Sequence, residues 1–346
     1  MFDSRVVWRA ALAWWCALGP AAFAAPAIPA TMRAVVIDQP GGPEVLQLRT
    51  LPVPGVDANE VLIAVRTASV ASWDIEIRQS LAYVKPKFPY TLGSDGSGVI
   101  AAVGAAVKRF EVGDEVYAYC WDNPKGGFYA EYVAVSSNCV AKLPKGVSLE
   151  AAGALGASGL TAQSGIDRVL KIRRGEALII HGASGAVGTL ALQIAKLRGA
   201  RVLATASGEE GVALVRKLGA DVAIDGRSGD IAAAARGFAP QGADALLALA
   251  GGTALEKCLE ALRAGARVAY PNGVNPAPTP RPGISVMPYD ALFGDQKEQF
   301  AELNRAVEAK RFEVPIAATF DLADAAAAHR RVEAGRVPGK VLLRIR

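Results

Sequence analysis

Histidine is nearly missing from this chain of 346 residues, which contains only His181 and His329. Zinc centres are built from closely spaced imidazole and thiolate donors, so a metal site here would have to come mostly from carboxylates, and none is expected. Cysteine is equally sparse. Of the four, Cys16 lies near the start, and Cys120, Cys139 and Cys258 are far apart with no C-x-x-C spacing, which gives no disulfide framework. A large excess of one charge is absent as well: Lys and Arg number 38 against 33 Asp and Glu. They fall in scattered pairs such as Lys108-Arg109, Arg173-Arg174 and Arg330-Arg331, without interleaved aromatics, so no nucleic-acid groove is expected. The longest apolar stretch, 10–24, is too short for a stable membrane span. What the chain has is core material: 51% of it is hydrophobic, enough for two folded domains.

Residues 177–207, ALIIHGASGAVGTLALQIAKLRGARVLATAS, carry the most information. A short apolar run bounded by glycine reads as a strand buried on both faces. Gly182, Gly185 and Gly188 then punctuate a turn, Leu190, Ile194 and Leu197 recur at helical spacing, and Gly199 stops the helix before a second strand at 201–206. Such a turn lets the backbone approach a pyrophosphate while free helix amides face the anion. Residues 183–188 fit G-x-G-x-x-G with alanine in the first slot. At the end of the second strand, where an acid would bind the ribose hydroxyls of NAD, the sequence runs Thr205-Ala206-Ser207-Gly208 with no acid before Glu209. That favours NADP(H).

Around this unit the pattern divides in three. From Met32 to about 150 come short strand-like segments at 33–37, 45–48, 60–69, 98–103, 114–118 and 129–135 with frequent Pro/Gly turns, the pattern of a barrel-like β domain. From 151 to 288 helices alternate with strands at 221–224, 245–249 and 267–270, a doubly wound α/β arrangement. From 289 onward, helices near 295–309 and 322–334 and a strand at 340–345 are expected to return to the β domain. His181, at a strand end, reads as a packed histidine, and His329 as a surface or domain-packing one.

Residues 1–31 form a leader-like segment. Arg5 and Arg9 precede the apolar stretch, which ends Ala22-Phe23-Ala24 in the manner of a secretory signal with an A-x-A cleavage site. A working signal would make the protein periplasmic or secreted; translation from Met32, which opens a strand, would leave it cytoplasmic, where NADPH is recycled.

Ordered blocks beyond Met32 carry a family likeness: Met32-Arg33-Ala34 with PGGPEVL at 40–46, FPYTLGSD at 88–95, VGDEVY at 112–117, YAEYV at 129–133, GLTA at 159–162, the glycine turn, and Gly339-Lys340-Val341. The chain resembles the zinc-independent quinone oxidoreductases, the ζ-crystallin-like group of the medium-chain dehydrogenase/reductase superfamily. The resemblance implies a Rossmann doubly wound parallel sheet inserted into a GroES-like β-barrel catalytic domain, with the active site between them. It also implies hydride transfer from NADPH to a quinone or α,β-unsaturated carbonyl without zinc, since Gly93-Ser94-Asp95 stands where zinc-dependent relatives carry Gly-His-Glu. An enoyl reductase of acyl thioesters, or a NADPH-binding protein with little turnover, would share this framework.

By resemblance, Thr161 lies beside the nicotinamide, Ser184, Gly185, Ala186, Val187 and Gly188 on the pyrophosphate, and Ser207 near the 2′-phosphate. Ala250, Gly251, Pro271, Asn272 and Gly273 follow along the cofactor, and Lys340 lies near the cleft. Tyr83, Tyr129 and Ser72 are hydroxyl candidates for proton donation, with no catalytic residue assigned. The chain departs from the family pattern where Ala71-Ser72-Trp73-Asp74 replaces the residues after Val of Val-Asn-Pro, at Gly211 in place of a phosphate-binding lysine, and at Gly226 in place of a tyrosine. Arg227 is the candidate replacement for the lysine, and Trp73 is placed to narrow the substrate cleft. Relatives commonly form homodimers through sheet edges, here expected at 267–270.

Overall fold

The computed structural model describes residues 27–346 apart from Tyr83, Asp122, Phe293 and Arg311. Residues 1–26 of the leader and the candidate Tyr83 therefore lie outside the described residues. The alternating half forms a six-stranded, wholly parallel sheet in the order Val222–Asp225, Arg201–Ala206, Ala177–His181, Ala243–Ala248, Leu262–Pro271, Ser285–Tyr289. Strand order reverses beside Ala177–His181, which puts the crevice for a ligand at the carboxyl ends of the central strands. Burial on both faces explains the unbroken apolar run there. Leu178 and Ile180 pack with Leu190 and Ile194 of the helix Ala186–Leu197, while Ile179 packs on the other face with Phe238, Leu255 and Leu259.

The remaining strands form the β domain. Seven of them make one sheet, in which Glu60–Val70 pairs with Asp95–Val103, Tyr132–Ser136 and Lys340–Arg344. The chain thus leaves this sheet, builds the parallel one, and returns through its last two strands, Ile316–Asp321 and Lys340–Arg344. A three-stranded sheet holds Gln47–Pro52, Thr31–Ile37 and Tyr90–Thr91. The helix Gln296–Glu308 cements the halves: Phe300 stacks edge-on to Tyr117 at 5.1 Å, and Leu303 fills the space left by the missing side chain of Gly159.

Several expectations need correcting. The strand expected at 267–270 is longer and interior, because Ser285–Tyr289 pairs parallel outside it; that strand, interrupted by Pro288, is the true edge. Pro43 begins a short 3-10 turn where a strand was expected at 45–48, and the strand starts at Gln47. Of the two readings of His329, surface or packing, burial selects packing.

Candidate active site

Gly182 ends the central strand with φ +81°, in the left-handed region that glycine enters without strain. Three residues on, Gly185 begins the helix Ala186–Leu197, and no side chain caps its first amides. These carry the positive end of the helix dipole. Gly188 serves close packing, since a Cβ there would stand 2.5 Å from the Gly182 carbonyl oxygen and 2.6 Å from Ala183 Cα. Gly185 faces open space, with only the Gly182 oxygen near, at 3.5 Å. Ser184 ties three segments together: its Oγ accepts the Ser207 amide at 3.3 Å, and its carbonyl accepts the Gly339 amide at 2.9 Å. Ser184, Gly185, Ala186, Val187, Gly188 and Ser207 are thus gathered at one crevice, with Lys340 next to the Gly339 contact.

Ala250 flanks Gly182 after the neighbouring strand, and Gly251 packs so tightly on Pro276 that a Cβ would meet its carbonyl at 2.5 Å. Pro271 ends the next strand, Asn272 donates through Nδ2 to Asp290, and Gly273 turns at φ +94°. Thr161 lies within the helix Gly156–Gln163, its hydroxyl donating to the Ala157 carbonyl at 2.8 Å.

At the far end of the crevice an acid is present after all. Parallel pairing sets Asp225 opposite Ala206, and its Oδ2 accepts the Gly208 amide at 2.7 Å. Oδ1 accepts the amides of Arg227 and Ser228, so three backbone donors hold the carboxyl below its ordinary range. The sequence reading missed it because Asp225 is brought in by strand pairing. Arg227 is exposed beside it.

The crevice opens onto a charged floor. Lys340 is buried, with its ammonium 5.3 Å from the centre of the Trp73 ring, whose indole N–H donates to Ser94 Oγ at 2.9 Å. Two buried carboxylates complete this floor. Asp95 accepts from Ser69 Oγ and, at 3.1 Å, from the Ala157 amide, joining the β domain to the start of the helix Gly156–Gln163. Asp74 accepts the Ala71 amide at 2.8 Å and so closes the first turn of the helix Ser72–Ser80. Burial pushes Asp74 up to about 7 against the opposing pull of that amide, with Asp95 adding to the rise and Lys340 reducing it. Asp95 is raised by burial too, which outweighs Lys340 and its hydrogen bonds.

Behind the floor runs a buried polar chain. Arg78 is fully buried and donates to the Gly41 carbonyl, to Glu333 at 2.5 Å and to His329 Nδ1 at 3.3 Å. His329 Nε2 meets Tyr129 Oη at 3.1 Å, and that hydroxyl reaches Asp74 Oδ2 at 3.5 Å. Tyr129 is therefore not a donor lining an open cleft, as the sequence suggested; it is fully buried, and burial pushes its hydroxyl well above the ordinary phenol value. Ser72 is exposed on the first turn of its helix.

With this geometry in view, comparison with known proteins is decisive. The quinone oxidoreductase of Rattus norvegicus is 32% identical over 325 residues, covering 90% of this chain and 97% of its own length. The chain belongs to the quinone oxidoreductase family. Within it, residues 57–145 match the model of the alcohol dehydrogenase GroES-like domain and residues 218–343 that of a zinc-binding dehydrogenase. A solved NAD-dependent alcohol dehydrogenase superposes with a TM-score of 0.83 at 31% identity, covering 91% of this chain and 100% of the other. A mycobacterial protein complexed with NADPH gives 0.80 at 28%, with coverages of 91% and 100%.

These oxidoreductases are NAD(P)H-dependent reductases. The uncapped amides after Gly185 and the open space before it fit the pyrophosphate of such a cofactor. Zinc fits this member poorly. Among the described residues no group of three or more His, Cys, Asp or Glu could hold a metal ion. Both histidines are committed elsewhere, His181 to Thr205 Oγ1 at 2.7 Å and His329 to the buried chain. Also among the described residues, no helix is long and apolar enough to cross a membrane.

Proposed function

We propose that this family member reduces quinones or α,β-unsaturated carbonyls with NADPH and without zinc. Lys340 carries the reading: it is a buried cation one residue from the strand contact to the glycine turn, against an indole face and two buried carboxylates. Bound NAD(P)H supplies a hydride. Ser184, Gly185, Ala186, Val187 and Gly188 hold its pyrophosphate, Thr161 lies on the nicotinamide side, and Ala250, Gly251, Pro271, Asn272 and Gly273 border its length. A flat conjugated acceptor lies along Trp73, and Lys340 donates a hydrogen bond to the oxygen that gains negative charge, a preorganised donor in a water-poor site. The π system spreads that charge, and solvent supplies the proton. Ser207 and Arg227 favour the 2′-phosphate, while the Asp225 carboxylate opposes it, so the preference for NADPH over NADH is narrow. A homodimer would pair the exposed edge Ser285–Tyr289.

The full chain is assayed for NADPH and NADH oxidation against phenanthrenequinone, a 2-alkenal and crotonyl-CoA. Turnover of the first two supports the reading. Turnover of the thioester alone makes it an enoyl reductase, and tight NADPH binding with no oxidation on any acceptor overturns catalysis altogether.

A further inference from the structure

A second cleft, of 740 Å³, opens where the π-helical turn Ser164–Val169, the end of the helix Ala186–Leu197 and the helix Gln296–Glu308 meet. None of the residues placed along the cofactor lines it. Four cations and two carboxylates do, and each carboxylate is already answered. Arg198 grips Asp167 with two bonds of 2.7 Å, and Arg168 donates to Glu302 at 2.9 Å. Lys171 and Arg305, the other two cations, have no ion pair among the described residues, so the cleft carries a surplus of positive charge. Gln163 forms the floor at 1% exposure. Its Nε2 donates to Glu302 at 3.3 Å; a carboxylate can only accept, so the amide cannot turn over, and its Oε1 is left buried with no hydrogen-bond partner among the described residues. A buried acceptor without a donor is unfavourable and calls for an occupant that donates. The segment leading away is strained as well. Six residues of π-helical turn are followed by Lys171 at φ +50°, a left-handed conformation that costs any residue but glycine, and such strain concentrates at ligand sites.

We propose that this cleft binds a hydroxylated phosphomonoester, of the chemical class of the sugar phosphates. A phosphate monoester carries a charge of about −1.5 to −2 near neutral pH, which answers Lys171 and Arg305 together. The Arg305 fork and the Lys171 ammonium donate to its oxygens. Ile172, Leu197, Ala306 and Ala309 give the carbon body an apolar wall. Neighbouring hydroxyls donate to Gln163 Oε1 and accept from its Nε2, a pairing that one amide and a diol make together. To admit them the Arg168–Glu302 pair turns outward; its side chains are 27% and 39% exposed, and an ion pair in contact with water is worth little. Arg305 shares its helix with Phe300 and Leu303, which hold the two halves together through Tyr117 and Gly159. Lys171 follows the helix that carries Thr161. An occupant gripping both therefore braces the junction of the halves from outside the crevice. This site does not depend on the reductase function proposed above.

The full-length protein is titrated by calorimetry at fixed ionic strength with glucose 6-phosphate, butyl phosphate and glucose, with and without NADPH, and thermal unfolding is read in parallel. Glucose 6-phosphate should bind at a single site and raise the unfolding temperature. Butyl phosphate, which lacks the hydroxyls, and glucose, which lacks the charge, should each bind about tenfold more weakly or less. Lys171→Met and Arg305→Met, both at exposed positions, should each weaken glucose 6-phosphate by about tenfold, the loss of one charge-assisted bond, and leave NADPH binding as in wild type. Gln163→Met should weaken it too, yet the free variant should melt no lower than wild type, because the orphaned carbonyl is gone; a merely structural glutamine would lower the melting temperature. No binding of glucose 6-phosphate, binding that survives both cation variants, or displacement by NADPH would overturn the proposal, and equal binding of butyl phosphate would remove the sugar from it. Binding and melting need no turnover, so they decide the matter even if every acceptor fails.

Discussion

His329 Nε2 and Tyr129 Oη stand 3.1 Å apart, and their neighbours settle which of them donates. The Arg78 guanidinium can only donate, so His329 Nδ1 accepts and Nε2 carries the hydrogen. Tyr129 oxygen accepts from that nitrogen and directs its own hydrogen toward Asp74. A neutral imidazole is required, and burial together with the Arg78 charge pushes His329 down to about 3. The chain links the ion pair of buried Arg78 with half-buried Glu333 to the helix turn that positions Trp73.

His329→Gln should cost about 2–3 kcal/mol at pH 7.5, since Arg78 and Tyr129 lose a buried partner. The pH dependence gives a sharper test. Between 6.5 and 3 the unfolded chain binds a proton at His329 that the folded protein refuses, so wild type loses stability as pH falls through this window. From pH 7.5 to 5 that loss is about 2 kcal/mol, and the variant lacks it. Urea unfolding at both pH values should show the gap between the two proteins narrowing in acid; a constant gap would refute the neutral-histidine account.

Lys340→Met should lower kcat with a quinone by about 100-fold, the usual loss for a donor that meets developing charge, while the dissociation constant for NADPH changes little. A large loss of NADPH affinity with normal kcat would instead make Lys340 a cofactor ligand. Asp74 titrates beside Lys340 and Asp95, so a step near pH 7 in the rate profile should vanish in Asp74→Asn. Stability has the opposite sign to that of His329. A carboxyl raised from its ordinary value favours the fold below about pH 4, and this advantage is lost as pH rises through 7. Asp74→Asn should therefore gain on wild type by about 2 kcal/mol between pH 5.5 and 8, a difference that paired denaturant titrations measure.

The parts of this site legible in the sequence were those built by local pattern. The strand 177–181, the glycine turn, the helix after it and the strand Arg201–Ala206 all obey short-range periodicity and turn chemistry, and they lie where that chemistry puts them. What escaped depends on register between distant segments. Asp225 reaches Gly208 only through strand pairing, and His329 meets Arg78 across 251 positions. Pro288 disguised the edge strand, and the π-helical turn Ser164–Val169 has no signal in residue spacing.

Coenzyme choice should respond to Asp225 and Arg227 in opposite directions. Asp225→Asn keeps an oxygen to accept the Gly208 amide but removes a fixed negative charge, so the ratio of kcat/KM for NADPH over NADH should rise about fivefold, near 1 kcal/mol. Arg227→Ala should lower the same ratio by a similar factor, mainly through KM for NADPH. Unchanged ratios in both would show that the 2′-phosphate lies elsewhere.

The two inner glycines of the turn separate packing from binding. Gly188→Ala would press a methyl group onto the backbone of Gly182 and Ala183, atoms that cannot swing away, so the helix must lift off the strand. That should cost about 1–3 kcal/mol, as overpacking does, and weaken cofactor binding as a by-product. Gly185 has φ −76° and open space before it, so Gly185→Ala leaves the fold unstrained and places its methyl where a pyrophosphate must approach. Thermal unfolding of Gly185→Ala should match wild type within a degree or two, while its NADPH affinity, read by fluorescence titration, falls tenfold or more. If Gly185→Ala binds NADPH normally, the pyrophosphate does not sit on this helix end.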